Sequence, residues 1–131
     1  MVGMILDTTF LIDLQRETRR DEEGPTIQFL QKHPDESLSL SAISVGEFSE
    51  GYPETEMESC RTFLRPFRVL PLNEEIAYRY GQISRRQRQQ GNRTGDNDLW
   101  IAATALAHNA AFVTRNVEHF CQIPHLQMLG Y

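Results

Sequence analysis

No apolar run in these 131 residues approaches the roughly 18 that a membrane-spanning helix needs. The N-terminus has neither the basic region nor the long apolar segment of a secretory signal, and Met1 to Leu6 reads instead as a buried strand. Cysteine is scarce. Cys60 and Cys121 have no metal-ligand spacing, so two reduced thiols in a cytoplasmic protein are expected rather than a disulfide. The histidines, His33, His108, His119 and His125, form no H-x-x-x-H pattern, which speaks against a zinc site. A P-loop, a G-x-G-x-x-G and a G-x-S-x-G are all missing, and the readings that depend on them go too. Repeats, low-complexity segments and linkers are absent, and the length suits one domain over residues 1–131.

Basic residues are outnumbered, 13 against 18 acids, for a formal net charge of -5. That balance argues mildly against a nucleic-acid binder, which is usually basic. Clustered acids that bind cations would cancel part of it. Arg85, Arg86, Arg88 and Arg93 fall within one short stretch, either a solvated helix face or a phosphate-contacting patch.

What is present alternates between strand and helix signals. Val2 to Leu6 is a β-rich apolar run, and Phe10, Leu11 and Leu14 follow at helical spacing. Arg19 to Gly24 is charged and predicts a loop. Pro25 suits the first turn of a second helix that ends near His33-Pro34. Leu38 to Leu40 predicts a short strand, and Ser41 is a good N-cap for a helix carrying Ile43, Val45, Glu47 and Phe48. Gly51-Tyr52-Pro53 breaks that helix, and Met57 to Leu64 forms another. Val69 to Leu72 reads as a strand or its exit, and Asn73 caps a long helix from Glu74 to Gln90. Gly91 to Gly95 is loop chemistry. A helix over Asp98 to His108 with Asn109 as C-terminal cap, a strand over Ala111 to Thr114, a turn or short helix over Arg115 to Phe120 and a last strand within Leu126 to Leu129 complete the chain. The fold class is α/β, a mostly parallel sheet flanked by helices on both faces.

Four polar residues sit where apolar runs end or helices begin: Asp7, Glu47, Asp98 and Asn116. Ligands bind such sheets beyond the carboxyl ends of the strands. Three carboxylates and an amide facing one point there would form an oxygen-rich pocket suited to Mg²⁺ or Mn²⁺. A metal in it would lower the pKa of a water and stabilise charge on a phosphoryl oxygen. Each residue alone has a plainer use. Asp7 could cap the following helix, Glu47 could be an exposed helix residue, Asp98 could favour a helix N-terminus, and Asn116 could stabilise a turn. Asp96 is a better helix cap than Asp98. Thr8, Thr9 and Ser44 could contact a metal-bound water or a phosphate, or cap helices. Asp13 reads as surface, and Trp100 as packing rather than base stacking.

Ile5-Leu6-Asp7-Thr8, Ser44-Val45-Gly46-Glu47-Phe48 with Gly51, Gly95 to Ala103, and Leu106-Ala107 through Thr114-Arg115-Asn116 to Phe120 carry a resemblance. Over nearly its full length the chain resembles PIN-domain ribonucleases, most closely the VapC-type toxins of bacterial toxin–antitoxin pairs. The resemblance implies an α/β/α sandwich, a homodimer, RNA as substrate, and a VapB-like antitoxin on a separate chain that blocks the active site. It implies Asp7, Glu47 and Asp98 as Mg²⁺ or Mn²⁺ ligands and catalytic residues. Asn116 stands where many relatives have Asp and others Asn, and its neutral oxygen weakens a second metal. Asp96 is an additional acid near the site, Glu118 a further candidate, and His119 replaces a position often acidic. Arg85, Arg86, Arg88, Arg93 and Arg115 are candidates for the walls of an RNA groove shared between two subunits. The competing expectations are a non-catalytic module of the same fold that binds RNA or protein, and a DNA or flap nuclease.

Overall fold

A computed structural model describes residues 2–131, and Met1 lies outside the described residues. The sheet has five strands in the order β3-β2-β1-β4-β5: β1 Met4–Leu6, β2 Leu38–Ser41, β3 Arg68–Leu70, β4 Ala111–Val113 and β5 Met128–Leu129. Every pairing between neighbours is parallel. The side chains of β1 alternate between two cores, as the two-residue period of a strand requires. Ile5 packs with Phe112 in one, and Met4 and Leu6 pack with Val113 in the other.

The helices divide the same way. α5 (Glu74–Gln90) and α6 (Asp96–Ala107) send Ile76, Ile83, Leu99 and Ile101 into the first core. α1 (Thr8–Arg20), α2 (Pro25–Lys32), α3 (Ala42–Ser49) and α4 (Met57–Leu64) send Phe10, Leu11, Phe29, Phe48 and Leu64 into the second. A four-residue α7, Val117–Phe120, follows β4. The result is the expected α/β/α sandwich, with both faces of a parallel sheet covered.

Local chemistry sets most boundaries. Ser41 Oγ accepts from the Ile43 amide at 3.1 Å, and Asn73 Oδ1 from the Ile76 amide at 3.0 Å, so both sequence-read caps are in place. Asn109 takes φ 49°, the left-handed turn that ends α6. Trp100 stacks on Tyr80 with centroids 4.0 Å apart, a packing role. Cys60 and Cys121 are both free thiols.

Two readings of helix ends needed correction. α1 continues through Arg20 and stops only at Asp21, whose φ is 51°, because Thr18 and Glu17 carbonyls accept the Asp21 amide there. A 3-10 turn at Glu54–Glu56 fills the break after α3. α6 starts two residues early, at Asp96.

One charged side chain joins the first two helices. The Glu17 carboxylate accepts the backbone N–H groups of Gly24 (2.9 Å), Thr26 (3.0 Å) and Ile27 (3.0 Å) at the start of α2. α2 lacks a capping side chain of its own, so Glu17 satisfies its otherwise orphaned donors. Burial alone would raise the pKa of this group, but bonds from Ile27, Thr26 and Gly24 outweigh it and hold the pKa below the usual value. A lowered carboxylate stabilises the fold above its ordinary range and loses that contribution as pH falls through its folded value. Glu17→Ala is therefore expected to cost about 2 kcal/mol at neutral pH. In thermal melts of both proteins that difference should shrink on acidification below the ordinary glutamate range.

Candidate active site

Asp7 leaves β1 at its carboxyl end, between β2 on one side and β4 on the other. This is the point where the strand order reverses, the ordinary place for a ligand crevice in a parallel sheet. Its amide donates to the Val113 carbonyl at 2.9 Å, fixing it to the end of β4. The residue stands in the N-cap position of α1, yet its side chain caps nothing. The carboxylate instead accepts the hydroxyls of Thr114 (2.8 Å) and Thr9 (3.1 Å). Only 3% of Asp7 is exposed. Burial raises its pKa above the usual value, the Asp98 charge pushes the same way, and the bonds from Thr114, Thr9 and the Thr8 backbone oppose them.

Glu47 arrives on α3. Its Oε1 accepts the Thr8 hydroxyl at 2.6 Å, and Asn97 Nδ2 reaches Oε2 at 3.3 Å. Thr8 Oγ1 is also 3.0 Å from Ser44 Oγ. Asp98 lies in the first turn of α6, with its Oδ2 2.8 Å from His119 Nε2. Asn116 follows β4, and its amide donates to Thr114 Oγ1 at 3.0 Å. Thr114 thus binds Asp7 and braces Asn116 with one oxygen.

Asp7, Glu47, Asp98 and Asn116 all line one pocket of about 610 Å³. Thr8, Thr9, Ile12, Glu50, Asn97, His119 and Phe120 complete it. Glu50 and Asn97 were not singled out as site residues, and His119 was noted only as replacing a position often acidic. The spacing held a signal: Glu50 is three residues after Glu47, and His119 three after Asn116, on one helical face each. The lining carries four carboxylates and neither lysine nor arginine.

Other expected residues lie elsewhere. Asp96 does not line the pocket, because Arg93 Nη2 (2.7 Å) and the Tyr80 hydroxyl (3.3 Å) hold it on the outer side of α6. Glu118 lies in an adjoining cleft with Arg115 and Val117, which shares Asn116 and His119 with the pocket. Arg85 and Arg86 line a separate groove beside the last turn of α6. Asp13 is not a surface residue. It is buried, and its carboxylate accepts from Arg16 Nη1 (3.3 Å), Arg115 Nη1 (3.1 Å) and the Tyr131 hydroxyl (2.9 Å). It thereby ties the turn that bears Asn116 to α1.

The pocket's donors suit a hard divalent cation, being carboxylates and an amide oxygen. Asp7 and Asp98 lie close enough for each charge to oppose the other, a repulsion that a cation would remove. Among the described residues, no three His, Cys, Asp or Glu side chains are gathered into a ready coordination group. Protein hydroxyl, amide and imidazole groups engage the carboxylates instead.

A family model described as PIN domain matches residues 4–126. The chain is 33% identical to Ribonuclease VapC1 of Haemophilus influenzae (strain R2866) over 129 residues, 94% of this chain and 93% of that relative. Among solved structures it is similar to VapBC-1 from nontypeable Haemophilus influenzae, with TM-score 0.76, 29% identity and coverage of 99% and 98% of the two chains. It also shares its fold with VapBC2 from Rickettsia felis bound to a promoter DNA fragment, with TM-score 0.83, 24% identity and coverage of 100% and 99%.

Two stability outcomes follow from this geometry. A carboxyl whose folded pKa is raised destabilises the fold wherever it is ionised, and that penalty disappears as pH falls to its unfolded value. In metal-free protein, Asp7→Asn should therefore raise the melting temperature at neutral pH, by about 4 °C per kcal/mol relieved. The gain should fade in melts taken toward pH 4. Asp13→Ala removes the acceptor of three donors and should cost about 2 kcal/mol in denaturant titration.

Proposed function

This chain belongs to the PIN domain family, and we propose that it is an endoribonuclease of the VapC type, the toxin of a toxin–antitoxin pair. The observation that carries the reading is the pocket at the strand-order reversal, with four carboxylates and no lysine or arginine. A relative 33% identical over most of both chains bears the name ribonuclease. Asp7, Glu47 and Asp98, with Asn116, are the residues proposed to hold Mg²⁺ or Mn²⁺. Such an ion supplies Lewis-acid stabilisation of charge on the phosphate undergoing hydrolysis.

The chain's own groups prepare that site. Thr114 and Thr9 fix the Asp7 carboxylate by both bonding its Oδ2. Thr8 and Asn97 hold Glu47 from opposite sides, and His119 steadies Asp98. Such supporting bonds orient ligands and are worth about 10- to 100-fold in affinity or activity where they have been removed. Asn116 brings a neutral oxygen, which limits the negative charge available to a second cation.

The proposed partners are RNA, a VapB-like antitoxin and a second copy of the chain. VapBC assemblies among the structural neighbours support the antitoxin. Val69 on edge strand β3, Leu72 and Tyr78 are exposed apolar residues close in sequence, which supports a second subunit packed there. The proposed location is the cytoplasm. Among the described residues no helix is long and apolar enough to cross a membrane. A non-catalytic binding role draws support from the formal net charge of -5 and from the neutral Asn116 among the three acids.

Incubating purified protein with total cellular RNA separates these readings. The expected result is discrete products with Mg²⁺ or Mn²⁺, none with chelator, and a loss of at least about 10²-fold in Asp98→Ala. Folded, metal-supplied protein that cuts no RNA would favour the binding role, and cleavage confined to single-stranded DNA would favour a DNA nuclease.

A further inference from the structure

The acid pocket has no lysine or arginine in its lining, but one of its walls leads to three arginines. Ile12 lines both that pocket and a shallow cleft along α1 whose other members are Gln15, Arg16, Arg19 and Arg20. Thr9, Ile12, Arg16, Arg19 and Arg20 recur at helical spacing, so they form one stripe along the helix. Ile12 is 42% exposed, a large apolar side chain left open between the acids and the arginines. The cleft contains no carboxylate.

The arginines are disposed for an external anion. Arg19 and Arg20 form no ion pair among the described residues, and Arg16 shares Asp13 with Arg115. That shared carboxylate holds Arg16 in place without neutralising both guanidinium groups. Arginines in the last turn of any helix also offset its dipole. That effect does not require the stripe to open into the acid pocket. From Thr9 to Arg20 the helix rises about 16 Å. A stacked nucleic-acid strand covers that span in about five nucleotides at 3.4 Å each.

Resting on the ribonuclease reading above, we propose that this face of α1 is a phosphate track. It binds the stretch of single-stranded RNA next to the phosphodiester held over the acid pocket. The division of charge suits a polymer with a phosphate at every step. One phosphate meets the cation-supported acids, and its neighbours meet Arg16, Arg19 and Arg20. The track adds affinity without contributing to bond cleavage, and guanidinium groups grip phosphates irrespective of base.

The test uses the full-length protein with Arg19→Ala/Arg20→Ala and Arg19→Glu/Arg20→Glu, both at exposed positions. Anisotropy of a fluorescein-labelled 15-nucleotide mixed-sequence RNA is measured in chelator over a salt series. Cleavage of the same RNA is then followed with Mn²⁺. Loss of two phosphate contacts should lower the log–log salt slope by about 1.4. RNA binding should weaken about tenfold or more at low salt, further with glutamate, and KM should rise while kcat holds. Unchanged affinity and slope in the glutamate variant would overturn the track. So would wild-type protein that prefers a polyglutamate peptide to the RNA. Wild-type cleavage scores the ribonuclease reading separately, since a chain that cuts while its variant keeps KM and salt slope refutes the track alone.

Discussion

The bond between the Asp7 carboxylate and the Thr114 hydroxyl, 2.8 Å long and spanning 107 positions of sequence, is the constraint on which the site depends. It joins the ends of the two central strands where the sheet order reverses. The same threonine oxygen receives the Asn116 amide. On the other side, α1 begins at Thr8, so Thr8 and Thr9 are placed by the same exit from β1. The cost is a carboxylate buried beside Asp98, whose ionisation the fold resists. Functional sites commonly retain such local destabilisation because activity needs it.

Asp7 and Glu17 show how one chemical group serves opposite ends. Both are carboxylates anchored to α1, Asp7 buried and Glu17 half-buried. Glu17 collects three backbone donors at the start of a helix, so its charge is welcome. Asp7 receives two hydroxyls and faces another acid, so its charge is not. The first builds the scaffold, while the second leaves an unbalanced charge in a pocket.

Much of this was legible in the sequence because local chemistry decides it. The bounds of α4 and α5, the caps Ser41 and Asn73, and the turn at Asn109 agree with residue type alone. Asp7 and Asn116 could be placed at strand ends from the apolar runs preceding them. Asp13 could not be read correctly, because its partners Arg115 and Tyr131 are more than a hundred positions away. Asp96 and Asp98 are two residues apart on a helix and therefore face different ways, which spacing could suggest but not resolve. The arginines of α1 were obscured by the charged segment that follows them, where helix and loop have the same composition.

The pairing of β1 with β4 also sets a schedule. Asp7 is made almost at once, but the strand that fixes it and the threonine that bonds it come more than a hundred residues later. Parallel pairing over such a separation forms slowly, because the intervening chain must first be closed. During synthesis, the nascent chain therefore carries the acids without the pocket. An activity housed there would have no working form until residues 111–116 had emerged, so the topology itself withholds it until both strands have been made.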